Sequence, residues 1–376
     1  MDTSALFYVF LTLFTVAIAC FVRNQAYVPV YISGRMPYSY DNRQAKNLAA
    51  MIGVYGLLAG VSACRVAIGA DYWVYRDNFE LISLGRPVPY EIGFRYVVKL
   101  MQWIFGSGTY RTIFFLFSVV TVFLFMKALH DQAVWYAGSL YLLLTCGYYF
   151  SSMHSVRYYF ALSIALYAAK YILRKDYLKF LLFILAAATF HKSVLVAIPT
   201  CLAAWWISGK EWKRIHYTAG SVLLLFLIFG QRLYSGLVRK VIFTFYPYYE
   251  GSTFDVRNFS WANIAKCLGV LVLCVLCRQA LKEDRKKRFY AFMNLEGLIL
   301  YTCGSFIPEI SRIGYYLIVF QIFLIPELLL SMKPGWKRRI CVIGTALAFG
   351  LYFFIFLYKA YDDSVRLLPY REWIFH

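Results

Sequence analysis

The sequence has 376 residues, 61% of them hydrophobic and only 15% charged, against about 25% charged in a soluble domain; its mean hydropathy is +0.59. These values exclude a soluble enzyme, a disulfide scaffold and a disordered tail protein, and leave room for about twelve helices of membrane-core length in one embedded domain, residues 1–376. There are 39 Lys and Arg against 19 Asp and Glu, a net charge of +20, and in so apolar a chain that excess speaks for topology and anionic lipid rather than nucleic acid.

The first run, MDTSALFYVFLTLFTVAIAC, lacks a basic n-region and an A-x-A site and is expected to be a retained helix. Apolar runs then predict an all-α multi-pass protein with helices at about 5–22, 47–64, 112–129, 134–150, 157–173, 177–190, 194–208, 216–232, 261–278, 290–306, 313–331 and 340–358. Placing loops 23–46, 127–133, 174–179, 209–214, 278–288 and 333–339 in the cytoplasm puts 21 Lys and Arg and 6 Asp and Glu there, against 16 and 11 on the other side. That asymmetry puts both termini and the long loops 65–111 and 233–260 outside. The segment 91–105 is apolar, yet Glu91, Arg95 and Lys99 form one charged stripe at i, i+4, i+8, so it is expected to lie in the outer interface. The stretch 177–208 is too long for one span and is flanked by basic residues, which predicts a hairpin turning at His191-Lys192-Ser193. Cys274 and Cys277 form an isolated CxxC, expected to be small packed residues and not a metal or redox site.

With this topology the chemically useful side chains collect on the outer face. They are Arg65, Asp71, Tyr72 and Tyr75 in the first long loop, Glu91 and Arg95 on the interfacial helix, His154 and Arg157 at a helix start, His191 at the hairpin turn, and Glu309 and Arg312 in the short loop PEISR. Ionisable groups near the ends of membrane helices mark substrate paths or snorkel to headgroups. Arginines grip phosphate bidentately, aromatic rings stack on sugars, and a carboxylate or imidazole takes the proton of an acceptor hydroxyl. Arg157, Arg312 and Asp71 are expected to converge on one outward cavity. Walker A, GxGxxG, HExxH and GxSxG motifs are absent, as is a carboxylate pair of metal-site type, so no metal and no cofactor is expected.

Four ordered blocks resemble the EpsG family, multi-pass bacterial membrane proteins related to Wzy-type polysaccharide polymerases. RVAIGADYWVYRDNFE followed by EIGF matches its opening signature at Arg65, Gly69, Asp71, Tyr72, Tyr75, Glu91, Gly93 and Phe94. SSMHSVRYYF is similar to its Asn-x-x-Arg-Gln helix start, with Arg157 matching and with His154 and Tyr158 replacing the Asn and Gln. ATFHKSVLVAIP resembles its Phe-His-x-Ser segment at His191 and Ser193, ISRIGYYL a later helix start at Arg312, and Pro369-Tyr370 its Pro-Tyr near the C-terminus. The resemblance implies a GT-C-like membrane glycosyltransferase acting on undecaprenyl-diphosphate-linked oligosaccharides at the outer face of the bacterial cytoplasmic membrane.

The expected function is therefore polymerisation of exopolysaccharide, capsule or O-antigen repeat units. Asp71 or His191 is the expected base; Arg157, Arg312 and Arg65 hold diphosphate; Glu91 and Arg95 orient a loop or sugar; Tyr72 and Tyr75 line a sugar groove. Membrane lipid is a second expected partner and a chain-length regulator protein a third. The rivals are a flippase for lipid-linked sugars, which needs a polar path where only Lys170, Lys266, Glu296 and Glu327 fall inside the expected spans, and a membrane O-acyltransferase using His191.

Overall fold

Backbone in lipid must satisfy its N–H and C=O groups internally. Every regular element among the described residues is a helix, and β-type pairing is limited there to an isolated bridge between Arg65 and Glu372. The computed structural model describes residues 3–22, 42–210, 222–223, 225–253, 255–257 and 259–372. Most of loop 23–46 and part of the span expected at 216–232 lie outside the described residues. Four helices are long and apolar enough to cross a membrane: Ala45–Ala63, Arg111–Gln132, Ile310–Ser331 and Trp336–Lys359. Shorter apolar helices occupy several of the other expected positions. The chain falls into two compact units, Met1–Lys170 with Leu185–Lys192 and Lys333–His376, and Tyr171–Ile184 with Ser193–Met332.

In the first unit, α1 (Thr3–Ala19) carries no charge, and its Thr12 and Thr15 hydroxyls donate to the Tyr8 and Leu11 carbonyls at 2.8 and 2.7 Å, which satisfies both within the helix. α2 (Asn42–Ala63) packs on a later helix, Arg111–Gln132, where buried Ser62 and Ser118 share a 2.9 Å hydrogen bond; small residues let the two backbones approach.

The loop expected outside at 65–111 holds two helices. α3 (Tyr72–Ser83) was not expected, because Arg76, Asp77 and Glu80 interrupt its apolar run. Its buried Tyr72, Tyr75, Phe79 and Ile82 nevertheless keep helical spacing. The helix expected at 91–105 is present as α4 (Ile92–Phe105), and it has three faces. Phe94, Val98 and Met101 are buried. Ile92, Tyr96, Leu100 and Trp103 form an exposed apolar row. Arg95 and Lys99 continue the charged stripe. α3, α4 and α5 (Arg111–Gln132) enclose an aromatic core that includes Tyr72, Tyr75, Phe94, Phe114 and Phe117.

The helix expected at 134–150 is two, α6 (Tyr136–Thr145) and α7 (Tyr148–Ser151), broken at Cys146-Gly147. α8 (Val156–Leu173) follows the turn that carries His154. The expected hairpin is present as α9 (Tyr177–Ala188), a 3-10 turn at Lys192–Val196 and α10 (Ala197–Ser208). The Trp205 indole donates to the Tyr177 hydroxyl at 3.1 Å, so the end of α10 returns to the start of α9.

The second unit continues with α11 (Gln231–Phe245), inside the expected outer loop, and then α12 (Trp261–Leu276), α13 (Arg278–Glu283), α14 (Arg285–Cys303), α15 (Ile310–Ile318) and α16 (Gln321–Ser331). The segment 278–288, expected as a basic loop, is therefore helical. Asp284 caps α14 by accepting the Lys286 N–H at 2.8 Å. Arg285 and Arg288 donate to the Trp205 and Ser208 carbonyls at 2.8 Å each, closing the C-terminal end of α10. Arg312 lies in the first turn of α15 and not in a loop. α17 (Trp336–Lys359) belongs to the first unit.

Candidate functional site

Residues 66–70 form a short irregular link that three backbone bonds fix to the C-terminal tail. Val66 N–H donates to the Arg371 carbonyl at 2.9 Å, Gly69 N–H to Arg366 at 2.7 Å and Ala70 N–H to Val365 at 3.1 Å. Tyr370 adds a hydroxyl bond to the Val61 carbonyl at 2.9 Å. On its other side the link meets the start of α8. Gly69 has φ +91, and a Cβ there would lie 2.7 Å from both the Met153 carbonyl oxygen and the His154 Cα, so only glycine fits. His154 Nδ1 accepts the Ala70 N–H at 3.1 Å, and Ser155 Oγ donates to Asp71 Oδ2 at 3.4 Å. Asp71 stands at the N-cap of α3 without a side-chain capping bond, half-buried, its carboxylate available for other work.

A second set of contacts centres on Arg157. Its Nη1 forms an ion pair with Glu91 Oε2; the side chains are 17% and 12% exposed. The guanidinium carbon sits 4.0 Å from the centre of the Tyr90 ring, in cation–π contact. Its backbone N–H donates to the Tyr75 hydroxyl at 3.3 Å. Burial pushes the Tyr75 hydroxyl up from its usual value, so it stays neutral there at physiological pH. The other Glu91 oxygen accepts the Lys192 N–H at 3.3 Å. Gly93 closes the contact: its N–H donates to the Thr189 carbonyl at 2.8 Å, and a Cβ would overlap Thr189 Oγ1. His191, 8% exposed, packs edge-on against Tyr158 with ring centres 5.3 Å apart. Asp71, Glu91, Arg157 and His191, from segments far apart in the chain, thus belong to one unit and are joined by named contacts.

A family model described as the EpsG family matches residues 48–371. The chain belongs to the EpsG family. Its members are polysaccharide-polymerase-like membrane proteins, associated with glycosyltransferase-like work in polysaccharide biosynthesis. No curated protein and no solved structure matches the chain.

Other expected residues of this EpsG-family chain stand elsewhere. Arg65 is 2% exposed; its Nη1 donates to Ser118 Oγ at 2.6 Å and to the Ser62 carbonyl, and its guanidinium lies 5.0 Å from the Phe114 ring centre. Burial pulls its pKa down to about 10, and the side chain has no open path to a diphosphate. Tyr72 and Tyr75 were expected to line a groove, but their rings are buried. Tyr72 stacks on Phe114 with centres 4.4 Å apart, and only the Tyr75 hydroxyl reaches the Arg157 cluster. Glu91 pairs with Arg157 and not with Arg95; Arg95 is exposed and lines a separate cavity between α3 and α4.

Arg312 belongs to the second unit, where its Nε meets Glu309 at 3.1 Å and its Nη1 donates to the Tyr249 hydroxyl at 3.4 Å. Among the charges inside expected spans, Lys170 pairs with Asp131 at 2.7 Å and Glu327 with Lys286 at 2.6 Å. Sequence reasoning missed Tyr90, Ser155 and Thr189. Tyr90 is adjacent to Glu91 and Thr189 lies two residues before His191, but contacts across the fold leave no spacing signal.

Two expected outcomes follow from these contacts. Gly93→Ala overpacks the α4–Thr189 contact and costs about 1–3 kcal/mol; melting of the purified protein in detergent should fall by several degrees, and an unchanged melting curve would contradict the close approach. Ending the chain after Ala360 removes the carbonyls that hold Val66, Gly69 and Ala70. Those amides should then exchange hydrogen far faster while amides in α5 keep their protection, and unchanged exchange at 66–70 would show that the tail holds nothing.

Proposed function

We propose that this protein polymerises lipid-linked polysaccharide repeat units at the outer face of the membrane. The observation that carries this reading is the Glu91–Arg157 pair, seated on Tyr90 and joined through Tyr75 and Ser155 to the surroundings of Asp71, in a chain of the EpsG family. The donor is a growing glycan on undecaprenyl diphosphate, and the acceptor a new lipid-linked repeat unit. An acceptor hydroxyl attacks the donor's anomeric carbon. Its proton passes to the Asp71 carboxylate, the new glycosidic bond forms, and the bond to the diphosphate breaks, with the electron pair leaving on the lipid diphosphate.

Asp71 suits the base better than His191, because Asp71 is half-buried with one weak hydroxyl contact while His191 is buried against Tyr158. Arg157 donates to Glu91 and its side chain also meets the Tyr75 hydroxyl, and the donors left over in its fork are the ones assigned to phosphate. Glu91 is a positioning residue that holds the guanidinium in place. Arg65, buried among Ser62, Ser118 and Phe114, is left out.

The class is tested by complementation of a strain that lacks its polymerase. The wild-type gene should restore long chains where the parent strain carries single capped repeat units. Restored export without lengthening would favour a flippase instead.

A further inference from the structure

A cavity of about 380 Å³ opens between the C-terminal turn of α3 and the outer side of α4, on the first unit. Arg86, Arg95 and Lys99 line it. None of the three forms an ion pair among the described residues, and no carboxylate lines the cavity: Glu91 is engaged with Arg157, Asp77 with Arg76 at 2.8 Å, and Glu80 of α3 is not in the lining. The helix end is also occupied by its own chain, since the Glu80, Leu81 and Ile82 carbonyls accept the Leu84, Arg86 and Gly85 N–H groups. The cavity therefore gathers three cations with no anion of its own. Its wall continues into apolar surface. Ile92 and Tyr96 line it and begin the exposed row that runs through Leu100 to Trp103, 50%, 66%, 49% and 83% exposed. The eleven helical rises from Ile92 to Trp103 make that row roughly 16 Å long.

A cationic cup beside an apolar strip fits an amphiphile with an anionic head, and α4 lies where a membrane interface is expected. A phosphodiester lipid brings one negative charge to three cations, whereas a diphosphate head brings about two when it carries a glycan and up to about three when it is free, and it accepts several charge-assisted hydrogen bonds. We propose that this cavity binds the diphosphate head of a polyprenyl lipid, with its hydrocarbon laid along Ile92, Tyr96, Leu100 and Trp103. The site is separate from Arg157. On the polymerase reading above, which involves two lipid-linked substrates at once, it is the docking place of the second one; the binding itself does not depend on that reading.

Equilibrium binding of farnesyl diphosphate to the purified full-length protein in detergent tests this. The wild type should take one molecule more per chain than Arg86→Gln/Lys99→Gln, two against one where Arg157 binds the other, with melting of the double variant unchanged. Inorganic pyrophosphate should bind the second site at least tenfold more weakly than farnesyl diphosphate, and Tyr96→Ser/Trp103→Ser should erase that difference. In nanodiscs, phosphatidylglycerol added to phosphatidylcholine should not displace the ligand. One molecule bound to wild type and double variant alike would overturn this site while leaving the polymerase reading intact. No binding to the wild type would overturn both. Displacement by phosphatidylglycerol, or equal affinity for pyrophosphate, would overturn the assignment to a lipid diphosphate.

Discussion

Arg157→Ala should leave cells with single capped repeat units and no long polymer. Two effects act together. The change removes the fork that offers phosphate its hydrogen bonds, and loss of such a preorganised donor set typically costs 10²–10³ in rate. It also strands Glu91, 12% exposed, without its cation and empties the face of the Tyr90 ring. Breaking a buried ion pair on one side costs about 3–5 kcal/mol, and the remaining exposure of this pair puts it toward the low end. Arg157→Lys separates the two effects. It keeps a positive charge for Glu91 but not the planar fork, so melting should recover most of the loss while polymer should not. Full-length polymer in Arg157→Lys would show that charge alone suffices there, and full-length polymer in Arg157→Ala would remove the residue from the site.

Asp71→Asn should be nearly silent in stability and severe in activity. The carboxylate makes no capping bond to α3 and accepts one long contact from Ser155, which an amide oxygen accepts equally well. Melting should therefore stay within about 1 kcal/mol of wild type, in the range of an exposed substitution. A general base is worth about 10²–10⁴ in rate, and kcat should fall by that factor with KM little changed. His191→Gln is the contrast, with a smaller expected loss. If the His191 variant were dead and the Asp71 variant active, the base would be the imidazole.

Helix content was legible in apolar runs such as 112–129 and 340–358, where α5 and α17 are found. It was also legible at 91–105, where a charged stripe at i, i+4, i+8 on an apolar segment keeps helical spacing and α4 is found. The break at His191–Lys192 was legible because basic residues flank a run too long for one span. α3 was not, because charges at 76, 77 and 80 hide four correctly spaced buried residues from a hydropathy window. The basic segment 278–288 was expected as a loop and is helical, and its Arg285 and Arg288 serve the carbonyls at the end of α10. At the site, residue types named Asp71, Glu91, Arg157 and His191, but only tertiary contacts show that Gly69 is fitted to Met153 and His154, and Gly93 to Thr189. Arg65 shows the reverse: its motif position resembles the others, while burial among Ser62, Ser118 and Phe114 makes it part of the support under the site.

The most direct measurement is single-turnover extension by the purified protein, given a lipid-diphosphate-linked glycan and a lipid-linked repeat unit, with released lipid diphosphate counted against glycosidic bonds made. Wild type should release one lipid diphosphate per repeat added, and Asp71→Asn, folded and still binding both substrates, should release almost none. Bonds formed without lipid diphosphate release, or equal release by wild type and Asp71→Asn, would contradict the polymerase mechanism centred on Asp71 and Arg157.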